Sequence, residues 1–594
     1  MDKRLVSLRQ KLREHELSGF LIPHTDEHQS EYTPSYAERL AWITGFDGSA
    51  GFGAVTQTSA AVFVDGRYTI QAKKQVDELL FSRHSLDQKS IKDWLFNNTE
   101  QGGVIGYDPW LHSKTWLKSI AKKLSEKNII LKAITVNPID AIWTERPIPS
   151  KAEVSVHKEK YSGEKSSCKR KRIATEIKAK KADALVITSL DSIAWLLNIR
   201  GTDVDCTPLV LSFAILYGSG ELDFFMDVDK INPELEKHLG SLVTHYDKKN
   251  FEMALMKLGS RRLTVLADPK RSHAAVFEAL ESGGAKIIEV DDPCQLDKAC
   301  KNDIELSGAR NAHIRDAVAV CRFLCWLDEH GPSGKIDEIN AVNKLYGFRT
   351  EVPLFQGNSF DTISGAGPNG AIVHYRVTEK TSLKLEKGMI YLVDSGGQYL
   401  DGTTDITRTV PIGAPTKEQC DNFTRVLKGH IAVACACFPV GRTGAHIDTL
   451  ARKSLWEVGL DYDHGTGHGV GSYLGVHEGP QSISPFSYNV ALTPGMILSN
   501  EPGYYKTGQY GIRIENLVIV RNSDLEGEGR PMLNFETITM VPISTKLVNV
   551  LMMSREEINW LNTYHSKVRE KLFPLLDETE KKWLVQATEA IAIN

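Results

Sequence analysis

The sequence predicts a chain of mixed α/β and α+β class: two related α/β domains in tandem, then a larger α+β domain. Three observations predict it. At 594 residues the chain exceeds what one hydrophobic core organises. Its first half repeats one order of elements. From about residue 304 the texture changes to long helical periodicity alternating with glycine-rich strands.

The repeat sets the first two domains, 1–145 and 146–303. A basic amphipathic helix with Leu5, Leu8 and Leu12 on one face leads into the apolar run "GFLIP" and then "ERLAWITGFDG". The stretch "KRKRIATEIKAKKADALVITSLDSIAWLLNIRG" has the same order, and Trp195 to Gly201 matches Trp42 to Gly48 in spacing. Helices alternating with strands imply sheets covered by helices. The proline-rich "TERPIPSK", 144–151, reads as the linker. The charged run Lys169–Arg172 reads as a solvated first turn of helix rather than a nuclear signal or nucleic-acid patch.

The third domain, 304–594, opens on the helical pattern "ELSGARNAHIRDAVAVCRFLCWLDEHG". Two further helical stretches follow, with strands expected around 388–412, 495–505 and 511–520.

Composition excludes several classes. The apolar fraction of 41% and charged fraction of 25% are ordinary, and Lys+Arg 71 against Asp+Glu 75 leaves a net charge of -4. That balance suggests no nucleic-acid partner. No long apolar run suggests a membrane span, and the charged start has no apolar leader, so a cytoplasmic protein is expected. Nine cysteines without a C-x-x-C pair read as reduced, mostly buried thiols, with Cys435 and Cys437 in a helix.

The residues that could do chemistry lie in the third domain. "IYLVDSGGQYLDGTTDITRT" places Asp394 and Asp405 eleven residues apart in strand-like segments. "DHGTGHGVGSYLGVHEGP" holds His464, His468 and His477. Its glycines forbid the helix that H-x3-H zinc spacing needs, so a loop or twisted strand is expected. Histidines satisfied by local hydrogen bonds are the alternative there. "SNEPGYY" puts Glu501 at a strand end. "YGIRIENLVIV" puts Glu515 within a strand, sharing a face with Arg513, and an Arg513–Glu515 ion pair is the alternative to metal binding. Converging carboxylates without cations would raise one another's pKa values, and an oxygen-rich set with one imidazole suits Mn²⁺, with Co²⁺, Fe²⁺ or Zn²⁺ possible occupants. "GAGPNG", 365–370, satisfies G-x-G-x-x-G only literally. A proline sits inside it and a β-branched run follows, so it lacks the strand–loop–helix context of a dinucleotide site.

At these residues the chain resembles the pita-bread metallopeptidases, and within them the three-domain aminopeptidase P branch. The resemblance runs through "HQSEY", "TGFDGSAG" and "DGRY" in the first domain and "DSIAWLLNIRG" in the second. In the third it runs through "HYRV", "YLVDSGGQYLDGTTDITRT", "GTGHGVG", "VHEGP", "NEPGYY" and "GIRIEN". It implies two creatinase-N-like domains before a pita-bread catalytic domain. It also implies two divalent metal ions, with Asp394 on one, His468 and Glu501 on the other, and Asp405 and Glu515 shared.

The implied reaction is hydrolysis of the bond between an N-terminal residue and a following proline, by a hydroxide held between the metals. Glu501 would take the water proton, His477 would stabilise the oxyanion and His374 would bond the substrate. His464, His468 and Arg513 would line the cleft, and Arg67 would contact substrate from the first domain. A homodimer is implied. Prolidase activity on Xaa-Pro dipeptides is the alternative enzyme reading, and a non-catalytic pita-bread binding protein the alternative class.

Overall fold

The structure is a computed structural model and describes residues 1–525 and 528–592. The chain forms two compact units, Met1–Glu159 with Glu164–Cys294, and Lys160–Gly163 with Gln295–Asn594.

The first unit contains the repeat. The helix Asp2–Glu14 buries Leu5, Leu8 and Leu12, the stripe expected of a 3.6-residue period. It precedes a six-stranded sheet in the spatial order Ser82–Ser85, Ala60–Val64, Gly51–Thr56, Gly19–Pro23, Val104–Tyr107, Ile130–Ala133. A second six-stranded sheet runs Val243–Asp247, Leu222–Met226, Phe213–Tyr217, Ala184–Ile187, Thr264–Ala267, Lys286–Glu289. In each sheet the first-arriving strand pairs antiparallel with the second and parallel with the fifth, and the remaining pairings agree in sense. Two domains of one topology stand in tandem.

The basic run of the second domain differs from expectation. It does lie in a helix, Ser166–Ala179, but Lys169 and Arg170 are buried, not solvated. Lys169 Nζ donates to Trp195 O at 3.1 Å and Asn198 Oδ1 at 2.8 Å, and sits 4.6 Å from the centre of the Trp195 ring. Those partners replace water around the ammonium, which is what makes its burial tolerable.

The second unit begins with the helix Asp303–His330, started by a capping box between Asn302 and Glu305. The helix Glu338–Thr350 follows. A three-stranded antiparallel sheet places Ile390–Ser395 between Ile363–Ala366 and Ile406–Pro411. A hairpin of Gly503–Lys506 and Tyr510–Arg513 is separate from a six-stranded sheet ordered Cys437–Pro439, Met532–Thr537, Asn516–Asn522, Ile497–Asn500, Gly467–Gly469, Glu478–Ile483. Helices Lys417–Ala434, Gly444–Trp456, Arg555–Leu572 and Glu578–Ala587 also belong to the unit, as does a three-stranded sheet ordered Phe355–Asn358, Gly397–Tyr399, Gly402–Thr403. Phe323, Leu327, Tyr391, Val393, Phe423, Ile512 and Leu561 belong to one buried cluster, so helices and strands share a core.

Cysteine usage also departs from expectation. All nine thiols are free, but only Cys294 and Cys321 are buried. Cys435 caps the helix that ends at Ala434, and Cys437 opens a strand, so the pair does not lie in a helix. Among the described residues no helix is long and apolar enough to cross a membrane.

A buried ion pair stands behind the central strand. Arg349 Nε donates to Asp316 Oδ1 at 2.8 Å, Arg349 donates to Ser395 Oγ at 3.1 Å, and Tyr399 OH donates to the same Asp316 oxygen at 2.8 Å. Asp316→Ala strands the guanidinium without its counter-charge. The expected cost is about 3–5 kcal/mol, read as a lower urea midpoint for unfolding of this unit.

Candidate metal centre

The acids sit where strands end or change sheets. Asp394 is the fifth residue of Ile390–Ser395 and pairs across the ladder with Thr407. Asp405 directly precedes Ile406–Pro411, and Glu501 directly follows Ile497–Asn500.

Glu515 is not inside a strand. It lies in the break between Tyr510–Arg513 and Asn516–Asn522. The chain there leaves one partner, with Arg513 opposite Gly503, and joins another, with Asn516 opposite Asn500. Alternation across that break does not hold, and Ile512, Arg513, Ile514 and Glu515 are all buried.

His468 is on the three-residue strand Gly467–Gly469, a strand with irregular register against Glu478–Ile483. A Cβ on Gly467 would lie 1.9 Å from Ser499 O, and one on Gly469 would lie 2.2 Å from Glu478 O. The glycines are needed for backbone approach, which brings His468 beside the strand that leads to Glu501.

The side chains converge. Asp405, His468 and Glu515 each offer a ligand atom, and all three atoms lie within 4.8 Å of one another. His468 Nε2 is 3.4 Å from Asp405 Oδ2 and 3.4 Å from Glu501 Oε1. Its Nδ1 donates to Gly469 O at 3.0 Å, so the local hydrogen bond and the approach to the acids coexist, one on each ring nitrogen. Ser499 Oγ donates to Glu501 at 3.1 Å.

Arg513 pairs with Asp394, not with Glu515: the guanidinium reaches Asp394 Oδ2 at 2.6 Å. Its Nε donates to Thr407 Oγ1 at 3.1 Å, and that hydroxyl donates to Glu515 Oε2 at 2.8 Å. Tyr505 OH accepts from Arg513 at 2.6 Å and lies 2.9 Å from His464 Nε2. Asp394 Oδ1 is buried with no hydrogen-bond partner among the described residues.

The cost of this assembly is visible in the proton affinities. Burial, with the charges of Asp405 and Glu501, pushes the Asp394 carboxyl up to about 7 despite Arg513. Burial and the charges of Asp405, Glu501 and Asp394 hold Glu515 well above the usual carboxylate range. Burial also raises Glu501. Burial lowers His468, but its hydrogen bond to Asp405 and the charge of Glu501 win and raise it to about 9.

An orphaned buried carboxylate oxygen and carboxyls raised by burial and by one another's charge are features that a bound cation would relieve. The donor set, four carboxylates with one imidazole, fits hard or borderline divalent cations.

The remaining histidines form a row. His477 lies 4.3 Å from His468 between ring centres, edge to face, and His374 lies 6.5 Å from His477 in a stacked arrangement. His464 stands on the other flank, against Tyr505. Arg67 belongs to the first compact unit, where it pairs with Asp65 at 2.8 Å and approaches Glu31 at 3.8 Å.

Sequence reasoning did not single out Tyr505 or Thr407. The only signals were a tyrosine pair after a Pro-Gly turn and a threonine-rich strand, each common in ordinary sheets.

The profile of metallopeptidase family M24 matches residues 307–522, and that of its C-terminal region matches 531–591. Creatinase/Prolidase N-terminal domain profiles match 4–140 and 145–305. The chain belongs to metallopeptidase family M24. It is 41% identical over 598 residues to a probable Xaa-Pro aminopeptidase P of Laccaria bicolor, covering 98% of this chain and 92% of that one. Xaa-Pro aminopeptidase 1 of Dictyostelium discoideum is 39% identical, covering 98% and 95%. Among solved structures, the X-prolyl aminopeptidase of Caenorhabditis elegans, described as a cytosolic enzyme with a di-nuclear active site, superposes with a TM-score of 0.95. It is 35% identical and 99% of each chain is covered.

Stability of the chelated protein should therefore depend on pH in one direction. A group whose folded pKa lies above its unfolded value holds more protons folded than unfolded, so stability falls as pH rises between the two values. For Asp394 the window runs from about 4 to about 7, and for His468 from about 6.5 to about 9. The melting temperature of EDTA-treated protein should drop between pH 5 and pH 9. It should drop less with a saturating divalent cation.

Proposed function

We propose that this chain is a metal-dependent Xaa-Pro aminopeptidase, hydrolysing the peptide bond between an N-terminal residue and a following proline. The convergence of Asp405, His468 and Glu515, with Asp394 and Glu501 beside them, is the observation that carries the reading. Full-length similarity to proteins named Xaa-Pro aminopeptidase supports it.

Asp394 would hold one divalent cation and His468 with Glu501 the other, while Asp405 and Glu515 would serve both. Mn²⁺ suits the oxygen-rich set best, with Co²⁺, Fe²⁺ or Zn²⁺ as alternatives. When bound, such a pair polarises the scissile carbonyl and acidifies water.

The chain's own residues do the rest. Glu501, raised by burial, accepts the proton of the attacking water. His477, edge-on to His468, donates to the oxyanion as charge develops. His374, stacked over His477, bonds the substrate on the proline side, and His464 and Arg513 complete the cleft. Proline's tertiary amide offers no N–H and its φ is fixed, so a pocket shaped to the ring takes what general aminopeptidases handle poorly. Arg67 is proposed as a substrate contact from the first domain. A cytosolic homodimer is proposed, the location supported by the description of the C. elegans enzyme.

An Xaa-Pro-Yaa tripeptide should release free Xaa and Pro-Yaa, and the loaded protein should contain about two divalent ions per chain by elemental analysis. Turnover of Xaa-Pro dipeptides alone would instead identify a prolidase. His374→Ala should keep its metal and lose about 10²-fold or more in kcat/KM. Asp405→Asn should lose metal and activity together.

A further inference from the structure

His374 is on a stretch with no strand or long helix between the short turn Gly367–Ala371 and the strand that begins at Ile390. Something other than a ladder must hold its imidazole opposite His477. The neighbouring side chain, Tyr375, is buried and points to Glu338.

Glu338 is the first residue of the helix Glu338–Thr350 and is fully buried. One carboxylate oxygen accepts from Ala366 N at 2.7 Å. The other accepts from Leu383 N at 2.9 Å and from Tyr375 OH at 3.0 Å. Asn369 Nδ2 donates to both oxygens at 3.1 Å. The backbone carbonyl of Glu338 accepts from Ser364 Oγ at 2.9 Å.

A single side chain thus fastens both ends of the 366–383 stretch and the residue beside His374. These partners are amides and hydroxyls, whose short hydrogen bonds fix direction. The "GAGPNG" segment closes the other side. A Cβ on Gly511 would lie 1.7 Å from Gly370 O, so the loop's backbone lies directly on the strand that carries Arg513.

We propose that Glu338 is a positioning residue for catalysis: through Ala366, Asn369, Tyr375 and Leu383 its carboxylate sets the loop that holds His374 across from His477. This rests on the role given to His374 above.

The test uses full-length, metal-loaded protein with Glu338→Gln, Tyr375→Phe, His374→Ala and the double variant Glu338→Gln/His374→Ala. Glu338→Gln presents N–H groups to N–H donors and should lower kcat/KM for an Xaa-Pro-Yaa peptide about 10- to 100-fold, with metal content unchanged. In the His374→Ala background the same change should cost less than about twofold, because there is no imidazole left to place. Losses that multiply in the double variant, or loss of metal, would overturn the proposal.

Hydrogen exchange supplies a readout independent of turnover. Backbone amides of 366–383 should exchange faster in Glu338→Gln than in the wild type without substrate, and unchanged exchange overturns the proposal. A wild type that exchanges as expected but cleaves no Xaa-Pro peptide sinks the proposed function alone. Should Glu338→Gln fail to fold, Tyr375→Phe, which removes one hydroxyl, and the double variant Tyr375→Phe/His374→Ala carry both comparisons.

Discussion

Mutual repulsion among buried acids is the constraint on which the second unit is built. Asp394, Asp405 and Glu515 are each more than nine-tenths buried. Left to relax, such a group would separate or bind protons. Separation is resisted by the backbone. Arg408, fully enclosed, donates to Thr407 O at 2.9 Å, Glu515 O at 2.6 Å, Pro542 O at 2.9 Å and Val541 O at 2.7 Å. It also donates to Asn516 Oδ1 at 2.8 Å and reaches Tyr564 OH at 3.1 Å. One guanidinium therefore ties the strand after Asp405, the break at Glu515 and the helix Arg555–Leu572 together. With the backbone held, the acids compensate by proton uptake or by binding cations.

The first unit shows the same economy in a different form. Its two domains repeat a turn, Asp108 accepting from Trp110 N at 3.0 Å and Asp268 from Lys270 N at 2.8 Å. The turns meet. Ala274 N donates to His112 O at 2.8 Å, Ala275 N to Pro109 O at 3.0 Å and Thr115 N to Pro269 O at 3.0 Å. Equivalent segments of a duplicated fold pair with each other here, and hydrogen bonds across the seam help hold two sheets of one topology as one compact unit.

Much of this was legible in the sequence because it depends on spacing. A strand run ending in an acid, a glycine-rich stretch with a histidine, and a duplicated helix–strand order survive translation into one dimension. What did not survive depends on partners distant in the chain. The burial of Lys169 needs Trp195 and Asn198. The place of Glu515 needs two different sheets to exchange a partner, and the Arg513–Asp394 pair links positions that period-two reasoning about Glu515 never compared. Glu338 had no local mark at all, since an acid at a helix start is what any capped helix shows.

The division of labour between elements follows from what each can hold. Ligand candidates sit on short strands, at strand ends and at the strand break, where ladder hydrogen bonds and Arg408 limit drift. The cleft histidines sit on loops, which can meet a flexible peptide but need outside fastening. His374 adjoins Tyr375, bonded to Glu338; His477 adjoins Glu478, whose carboxylate takes Lys298 Nζ at 2.6 Å in a fully buried pair and Gly475 N at 3.0 Å. His374 and His477 thus each have a buried carboxylate within two side chains, and the two rings stack 6.5 Å apart. The same residue type appears in two settings: converging at the candidate metal centre, buried carboxylates raise one another's proton affinity, and among amide and hydroxyl donors a buried carboxylate fastens a loop.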